Sequence, residues 1–301
     1  HAIEQNRTWG IRYLLAVLTN ITHEHLDFHR TYERYLKSKV RFLDQAGQAV
    51  VNQDDKSYEL VKKQVKNKLI TYSLREKSAD YFGDPGKKLG LSLPRFNAYN
   101  YLAAYAVGKI VGIEESIILK ALASFTLPPG RLEVVIVKPF TVLVDFAHTP
   151  NGFHEVLSAV SSSRLPKKGR LIHIFGAAGR RDASKRPLMG KESATFADLV
   201  ILTEEDYRDE DPLKICAELA LGLKEKGFTP VSPTNFGAGQ KEYVTIIDRK
   251  EAIAKALSLA KKGDVIILTG KGHEKSLCRG SKEYPWSDTQ AVLELLPPKK
   301  L

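Results

Sequence analysis

From Leu132 onward, apolar runs rich in β-branched residues alternate with amphipathic stretches of helical period. Strands are expected at Leu132 to Val137, Thr141 to Ala147, Arg170 to Phe175, Leu199 to Thr203, Tyr243 to Ile247 and Asp264 to Leu268. Helices are expected from Pro150, after Arg186, from Pro212 and from Arg249. Strands that alternate with helices imply a mostly parallel sheet covered on both faces, so this half reads as a Rossmann-like α/β domain. The first half is also α/β, with strands at Ala16 to Ile21, Gln48 to Asn52 and Leu69 to Ser73. Its helices are expected around Thr31 to Gln45, from Lys56, and near Asn97 to Val111 and Glu114 to Phe125. Pro128-Pro129-Gly130 interrupts the pattern, because neither residue type continues a helix. The expected domains are therefore 1–131, a partial mixed sheet with helices, and 132–301.

Polar clusters follow several of these strands: Asp145-Phe146-Ala147-His148-Thr149-Pro150, Gly176-Ala177-Ala178-Gly179-Arg180-Arg181-Asp182 and Gly270-Lys271-Gly272-His273-Glu274. Open parallel sheets place ligand-binding loops at these strand ends, and the mixture of glycine and charge suits a phosphorylated, charged substrate.

Composition narrows the class. With 301 residues and 43% hydrophobic content the chain can bury a sizeable core. It has no run near the roughly 18 apolar residues of a membrane span and no signal-peptide pattern, so a cytoplasmic protein without a membrane partner is expected. Cys216 and Cys278 have no partner at metal-ligand spacing. The net charge of +11 is spread along helix faces, as in Lys62, Lys63, Lys66 and Lys68, and no nucleic-acid signature accompanies it, so no nucleic-acid partner is expected. The chain starts at His1 without Met, as a fragment of a longer protein would.

Individual residues add chemistry. Lys39 falls on the apolar stripe of Tyr32, Tyr35, Phe42 and Ala46 and is expected to point inward. A buried lysine can lose its charge and react with carbon dioxide, or it can snorkel at the core edge. His25, Asp27 and His29 follow a strand and suit a magnesium-phosphate site, or a plain surface loop. Gly176 to Asp182 is a glycine-bearing strand-to-helix turn, flanked by Arg180, Arg181 and Arg186 that could fork onto a carboxylate or phosphate. No Gly-x-x-x-x-Gly-Lys-Ser/Thr loop occurs in the chain.

Taken in order, these motifs resemble the Mur ligase family, in particular its UDP-N-acetylmuramyl-tripeptide synthetase type, from His1 to near Asp288. The resemblance implies a Mur ligase central domain lacking its phosphate loop, followed by the C-terminal Rossmann-like domain. It also implies ATP and Mg2+ as cofactors, and UDP-MurNAc-L-Ala-D-Glu and a diamino acid as substrates of a monomeric enzyme. Within it, Gln5 and Arg7 match contacts to the UDP-sugar peptide, His25 a magnesium-site residue, and Lys39 a carbamylated lysine that serves as a metal ligand. Asn97 and Asn100 match the adenine-recognising segment, Arg131 a phosphate-directed arginine, and Asp145 and His148 the nucleotide-facing strand end. Arg186, Arg208, Gly270 and Glu274 match positions that grip the amino acid. His25, Lys39 and Arg131 are thus the implied catalytic set.

The chain departs from the family in three places. The phosphate loop, the UDP-binding domain and a central glutamate would lie before His1, so the fragment alone is expected to be inactive. The segment Tyr81 to Pro94 is shorter than usual. The diaminopimelate signature Asp-Asn-Pro-Arg is here Glu205-Asp206-Tyr207-Arg208, which keeps the Arg and favours meso-diaminopimelate over L-lysine. The competing readings are a ligase similar to folylpolyglutamate synthase and a non-catalytic nucleotide- or muropeptide-binding protein.

Overall fold

In the computed structural model, which describes residues 2–22, 30–163 and 169–296, the chain divides into two compact units, His1–Thr126 and Leu127–Leu301. The division precedes the Pro128 break, so Pro128 to Arg131 belong to the second unit rather than the first.

In the first unit, strands β1 (Leu15–Leu18), β2 (Gln48–Asn52), β3 (Leu69–Ser73) and β4 (Tyr81–Phe82) form a four-stranded sheet in that order, every pair parallel. Helices α1 (Tyr32–Gln45), α2 (Tyr58–Gln64), α3 (Pro85–Lys88), α4 (Arg95–Ile110) and α5 (Glu115–Ser124) accompany it. Strand β2 shows why both faces are covered. Its period of two sends Ala49 and Val51 into a cluster with Leu36, Val40 and Leu43 of α1, while Val50 packs with Leu102, Ala103 and Ala106 of α4. Helix α1 starts where the Thr31 hydroxyl accepts the Arg34 N–H at 3.3 Å. At its other end Asn67 Nδ2 donates to Ala46 O at 2.7 Å.

The second unit holds a seven-stranded sheet in the order β5-β6-β11-β7-β8-β10-β9. Its strands are β5 (Glu133–Ile136), β6 (Thr141–Val144), β7 (Leu171–Phe175), β8 (Leu199–Leu202), β9 (Thr229–Pro230), β10 (Glu242–Thr245) and β11 (Val265–Leu268). All pairs are parallel except β5 with β6, so the antiparallel pairing that makes a sheet mixed lies in this unit. The central strands are apolar throughout because both faces are covered. On one face Val142, Val144, Ile172, Ile174, Ile201 and Ile266 pack against Ala252, Ile253 and Ala256 of α9 (Arg249–Leu259) and Ala291 and Val292 of α10 (Asp288–Glu294). On the other face Phe153 of α6 (Pro150–Ser163) sets its ring against His173 and Phe175, 4.9 Å from each. A two-stranded antiparallel hairpin, β12 (Ser276–Arg279) and β13 (Lys282–Pro285), follows the last sheet strand.

Helices α7 (Lys185–Phe196) and α8 (Pro212–Glu225) meet backbone to backbone through glycines. A Cβ on Gly222 would lie 1.9 Å from Pro187 O, and one on Gly190 2.0 Å from Leu219 O. Gly222→Ala is therefore expected to force the helices apart and destabilise the second unit by about 1–3 kcal/mol, measured by denaturant unfolding. An unchanged unfolding midpoint would show that the helices separate without cost.

Candidate functional site

Four loops at the carboxyl ends of neighbouring parallel strands, together with the segment entering β5, build a polar cluster in the second unit. The position of β11 between β6 and β7 brings them together. The chain runs from β6 to β7 and later returns to fill the gap, so the Gly270–Glu274 loop rises between the two earlier loops.

At the end of β6, Asp145 is buried, and its two carboxylate oxygens accept the N–H groups of Leu132 (2.8 Å) and Ala147 (2.7 Å). Burial pushes this carboxyl above its ordinary range, against the two N–H donors and the Arg131 and His148 charges. Asp145 thereby ties the Arg131-Leu132 segment to the strand end. Arg131 is exposed, and its guanidinium lies over the Phe146 ring at 4.8 Å. The Phe146 ring also meets His148 and His273, each at 4.8 Å. Gly130 has φ +69°, and a Cβ there would lie 2.1 Å from His273 N, so only glycine admits this crossing of the two segments.

The loop after β8 is acidic, and almost every charge in it is engaged. Glu204 pairs with Arg279, with one Nε to Oε2 bond of 2.8 Å, and accepts the Arg249 N–H. Asp206 accepts from Lys271 Nζ at 2.8 Å and from the Cys278 N–H at 2.9 Å. Asp209 pairs with Arg180, and Asp211 caps α8. Glu205 differs: it is 7% exposed, and its Oε2 has no hydrogen-bond partner. Burial raises its carboxyl pKa more than the His148, Lys185, Arg249 and Lys271 charges lower it. Gly270, at φ +104°, passes so close that a Cβ would lie 2.7 Å from Glu205 Oε2.

Lys271 is 1% exposed and joins two carboxylates, Asp206 at 2.8 Å and Glu274 at 2.6 Å, which raise its pKa against the desolvation that comes with burial. Arg208 NH1 donates to Gly179 O (2.7 Å) and Asp206 O (3.3 Å), locking the loops after β7 and β8 together. Lys185 Nζ donates to His148 O at 2.9 Å, bridging the β6 loop to the start of α7. Asp145, His148, Arg208, Gly270 and Glu274 thus lie on loops at one edge of the sheet.

Arg186 does not offer its fork to a ligand. It is 1% exposed, with NH1 on Glu218 (2.7 Å) and NH2 on Glu210 (2.9 Å) and Ala178 O (3.2 Å). It lies in the first turn of α7, facing α8, where Glu218, Glu210 and Ala178 O take its NH1 and NH2 groups and its Nε is buried without a hydrogen-bond partner.

In the first unit, Asn97 is buried on α4, and Asn100, one turn on, is exposed and donates to Asn97 Oδ1 at 3.4 Å. Gln5 and Arg7 are exposed on a turn segment that docks on α1 through Ser38 to Glu4 (2.5 Å) and Arg41 to Ile3 O (2.8 Å). Lys39, expected inward, is only half-buried. The buried stripe runs through Tyr35, Leu36, Val40 and Leu43, and the Lys39 ammonium lies over the Tyr35 ring, 5.3 Å from its centroid. His25, with Asp27 and His29, lies outside the described residues. Among the described residues no group of three or more His, Cys, Asp or Glu side chains is placed to hold a metal ion, and no helix is long and apolar enough to cross a membrane.

Comparison with known proteins gives these loops a family context. The profile described as Mur ligase middle domain matches residues 1–108, and that described as Mur ligase, glutamate ligase domain matches residues 130–272. The chain belongs to the Mur ligase family. It is 36% identical to a protein of Aquifex aeolicus and 39% identical to one of Parabacteroides distasonis, both named UDP-N-acetylmuramoyl-L-alanyl-D-glutamate--2,6-diaminopimelate ligase. Each match covers 98% of this chain, and 61% and 62% of the respective relatives, so the chain spans about six-tenths of their length. A solved structure of a ligase of that name superposes with a TM-score of 0.53 at 28% identity, covering 98% of this chain and 62% of that one.

Sequence reasoning missed Lys271 as a charge bridge, Glu205 as a buried orphan, and the fully buried pair Arg249–Asp288. Lys271 was visible inside Gly270-Lys271-Gly272, where flanking glycines remove the bulk that would otherwise hold a lysine off the backbone. Glu205 and Arg249 look like ordinary surface charges in a linear reading.

The raised Glu205 pKa makes a pH-dependent expectation. The native carboxyl holds its proton more tightly than the unfolded one, so its full stability contribution exists below the unfolded carboxylate pKa and is lost as pH rises through the raised value. Glu205→Gln, which cannot ionise, is expected to gain stability over wild type as pH rises from about 4 to 8. A difference that is flat, or that grows toward acid, would contradict a buried, unpaired carboxylate.

Proposed function

We propose that the protein carrying this chain is an ATP-dependent amide-bond ligase of peptidoglycan precursor synthesis. It adds a diamino acid, meso-diaminopimelate in preference to L-lysine, to UDP-MurNAc-L-Ala-D-Glu. The observation that carries the reading is the array of opposite charges at one strand edge of the second unit. Glu205 and Glu274 supply carboxylates beside the Arg208 and Lys271 cations, complementary to a zwitterionic acceptor. The names of the relatives and the family's ATP-dependent ligase chemistry support the same substrate class.

The reaction has two steps. A D-Glu side-chain carboxylate oxygen attacks the γ-phosphorus of ATP, forming an acyl phosphate and releasing ADP. The acceptor amine, having lost its proton, then attacks the acyl carbon, and inorganic phosphate leaves as the amide forms. Arg131 stabilises phosphate charge and is aimed by the Asp145 carboxylate that holds Leu132. Asn97 and Asn100 read adenine, Asp145 and His148 line the nucleotide side, and Gln5 and Arg7 meet the UDP-sugar peptide. Arg208, Gly270 and Glu274 orient the amino acid, and positioning of this kind supplies much of the rate. His25 and Lys39, the latter as a carbamate, are the side chains that would meet the magnesium accompanying ATP. These nucleotide-linked substrates place the reaction in the cytoplasm.

The test is ADP release by the native polypeptide with UDP-MurNAc-L-Ala-D-Glu and, in separate reactions, meso-diaminopimelate, L-lysine and L-ornithine. Release with meso-diaminopimelate is expected. Release with none of them, from folded protein that binds ATP, rejects the ligase reading. Lys39→Ala is expected to lower ligation by at least about 100-fold, with partial recovery on adding a short carboxylic acid; full activity in the variant would remove the role given to Lys39.

A further inference from the structure

His173 has no place in the reaction above, and its surroundings are unusual. It sits in the middle of β7 with a fully buried side chain, in a run of sequence otherwise apolar, Leu171-Ile172-His173-Ile174-Phe175. Phe153 and Phe175 enclose the ring, the latter stacked at 4.5 Å. Both ring nitrogens are used. Nδ1 is 2.8 Å from Ser193 Oγ on α7, and Nε2 is 2.9 Å from Thr269 Oγ1. Burial, with the Arg249 charge assisting, lowers the pKa to about 3, so the ring is neutral and presents one donor and one acceptor.

Thr269 is the residue immediately before Gly270. Its backbone is fixed as well: its N–H donates to Ile174 O at 3.0 Å, and its carbonyl accepts from Arg249 NH2 at 2.9 Å. A leucine or valine at position 173 would fill the same space without holding the Thr269 side chain. Burying two polar contacts in an apolar layer costs free energy unless both are satisfied, and a satisfied pair has a fixed geometry.

We propose that His173 is a positioning residue that acts through Thr269 to set the turn at Gly270, and with it the placement of Gly270 against Glu205 and of Glu274 on Lys271. The link between α7 and the end of β11 is a chain of side chains, Ser193 to His173 to Thr269, that runs over one face of the sheet and ends at the residue before Gly270. The inference rests on the proposed function only for its consequence in turnover. The mechanical part concerns the chain alone.

Two isosteric substitutions separate the two ring contacts. A glutamine amide nitrogen reaches about where Nε2 lies, and an asparagine amide reaches about where Nδ1 lies. Amide hydrogen exchange is measured across Gly270 to Glu274 in the chain itself, with no substrate present. His173→Asn keeps the Ser193 side but not the Thr269 side, and is expected to speed exchange in this loop about tenfold, the loss of roughly one hydrogen bond. His173→Gln is expected to stay near wild type. Thr269→Val, which keeps shape and removes only the hydroxyl, is expected to match His173→Asn and serves where a position-173 variant fails to fold. Equal exchange in the Asn and Gln variants, or wild-type exchange in Thr269→Val, overturns the proposal. In the native polypeptide, His173→Asn is expected to raise the KM for the amino acid about tenfold while the KM for ATP stays constant, with Gln restoring it. A uniform fall in kcat with both KM values unchanged would mark a merely structural residue. Loop exchange that follows the expected order without any ligase activity would leave the positioning role intact and reject the function.

Discussion

The second unit depends on one cation. Arg249 opens α9 with its guanidinium fully buried and donates from Nε and NH2 to the two oxygens of Asp288, both at 2.7 Å. It also donates from NH1 to Glu204 O and from NH2 to Thr269 O. Removing two charges from water is costly, and their attraction compensates only when geometry is close to ideal and the remaining donors are bonded. Both conditions hold here, and Trp286 Nε1 adds a further donor to Asp288 at 2.8 Å. The carboxylate raises the Arg249 pKa against desolvation, so the charge persists in the interior. One side chain therefore fixes the end of β8, the end of β11 and the start of α10, and two of these ends carry candidate site loops.

That constraint explains the acidic loop. Glu204 to Asp211 contains six carboxylates in eight residues, a run that would repel itself if it were left solvated in a compact turn. Arginines and a lysine from elsewhere in the fold, with one helix N-terminus, absorb all but Glu205. An unpaired buried carboxylate costs stability, and the fold neutralises its neighbours but leaves the Oε2 of this one without a partner close to Gly270. Lys271, by contrast, is shared between two carboxylates, and its bond to Glu274 holds that side chain to the same ammonium that Asp206 meets.

Much of the fold was legible in the sequence. The bounds of β2 and β3 follow directly from the apolar period, and the parallel Rossmann-like arrangement follows from alternating strands and helices. The pattern missed β4, β9 and the β12–β13 hairpin: β4 and β9 are two residues long, β13 faces solvent, and β12 buries only Leu277 and Cys278, too short a run to stand out. It also read Lys39 as inward. A stripe drawn through Tyr32, Tyr35, Phe42 and Ala46 tolerates an angular error of one residue, and the helix places Ser38 and Val40 inside instead. At the site, strand-end loops were visible because glycine and charge stand out after an apolar run. Arg186 shows the limit of that signal: the basic flank of a strand-to-helix turn is identical in sequence whether its guanidinium faces a ligand or the acids of the next helix.

The substitution pattern of the signature loop has a physical consequence. Where the family's diaminopimelate signature has asparagine, this chain has Asp206, which adds a negative charge beside the positions of Glu205 and Glu274. Left uncompensated, that charge would weaken any grip on an acceptor carboxylate. Lys271, buried against Asp206 at 2.8 Å, cancels it locally, and the Cys278 N–H takes the same Asp206 oxygen. The same ammonium also meets Glu274 at 2.6 Å, so one lysine offsets two carboxylates of these neighbouring loops. A carboxylate is accommodated at this half-buried position because a lysine from the neighbouring loop carries the opposite charge.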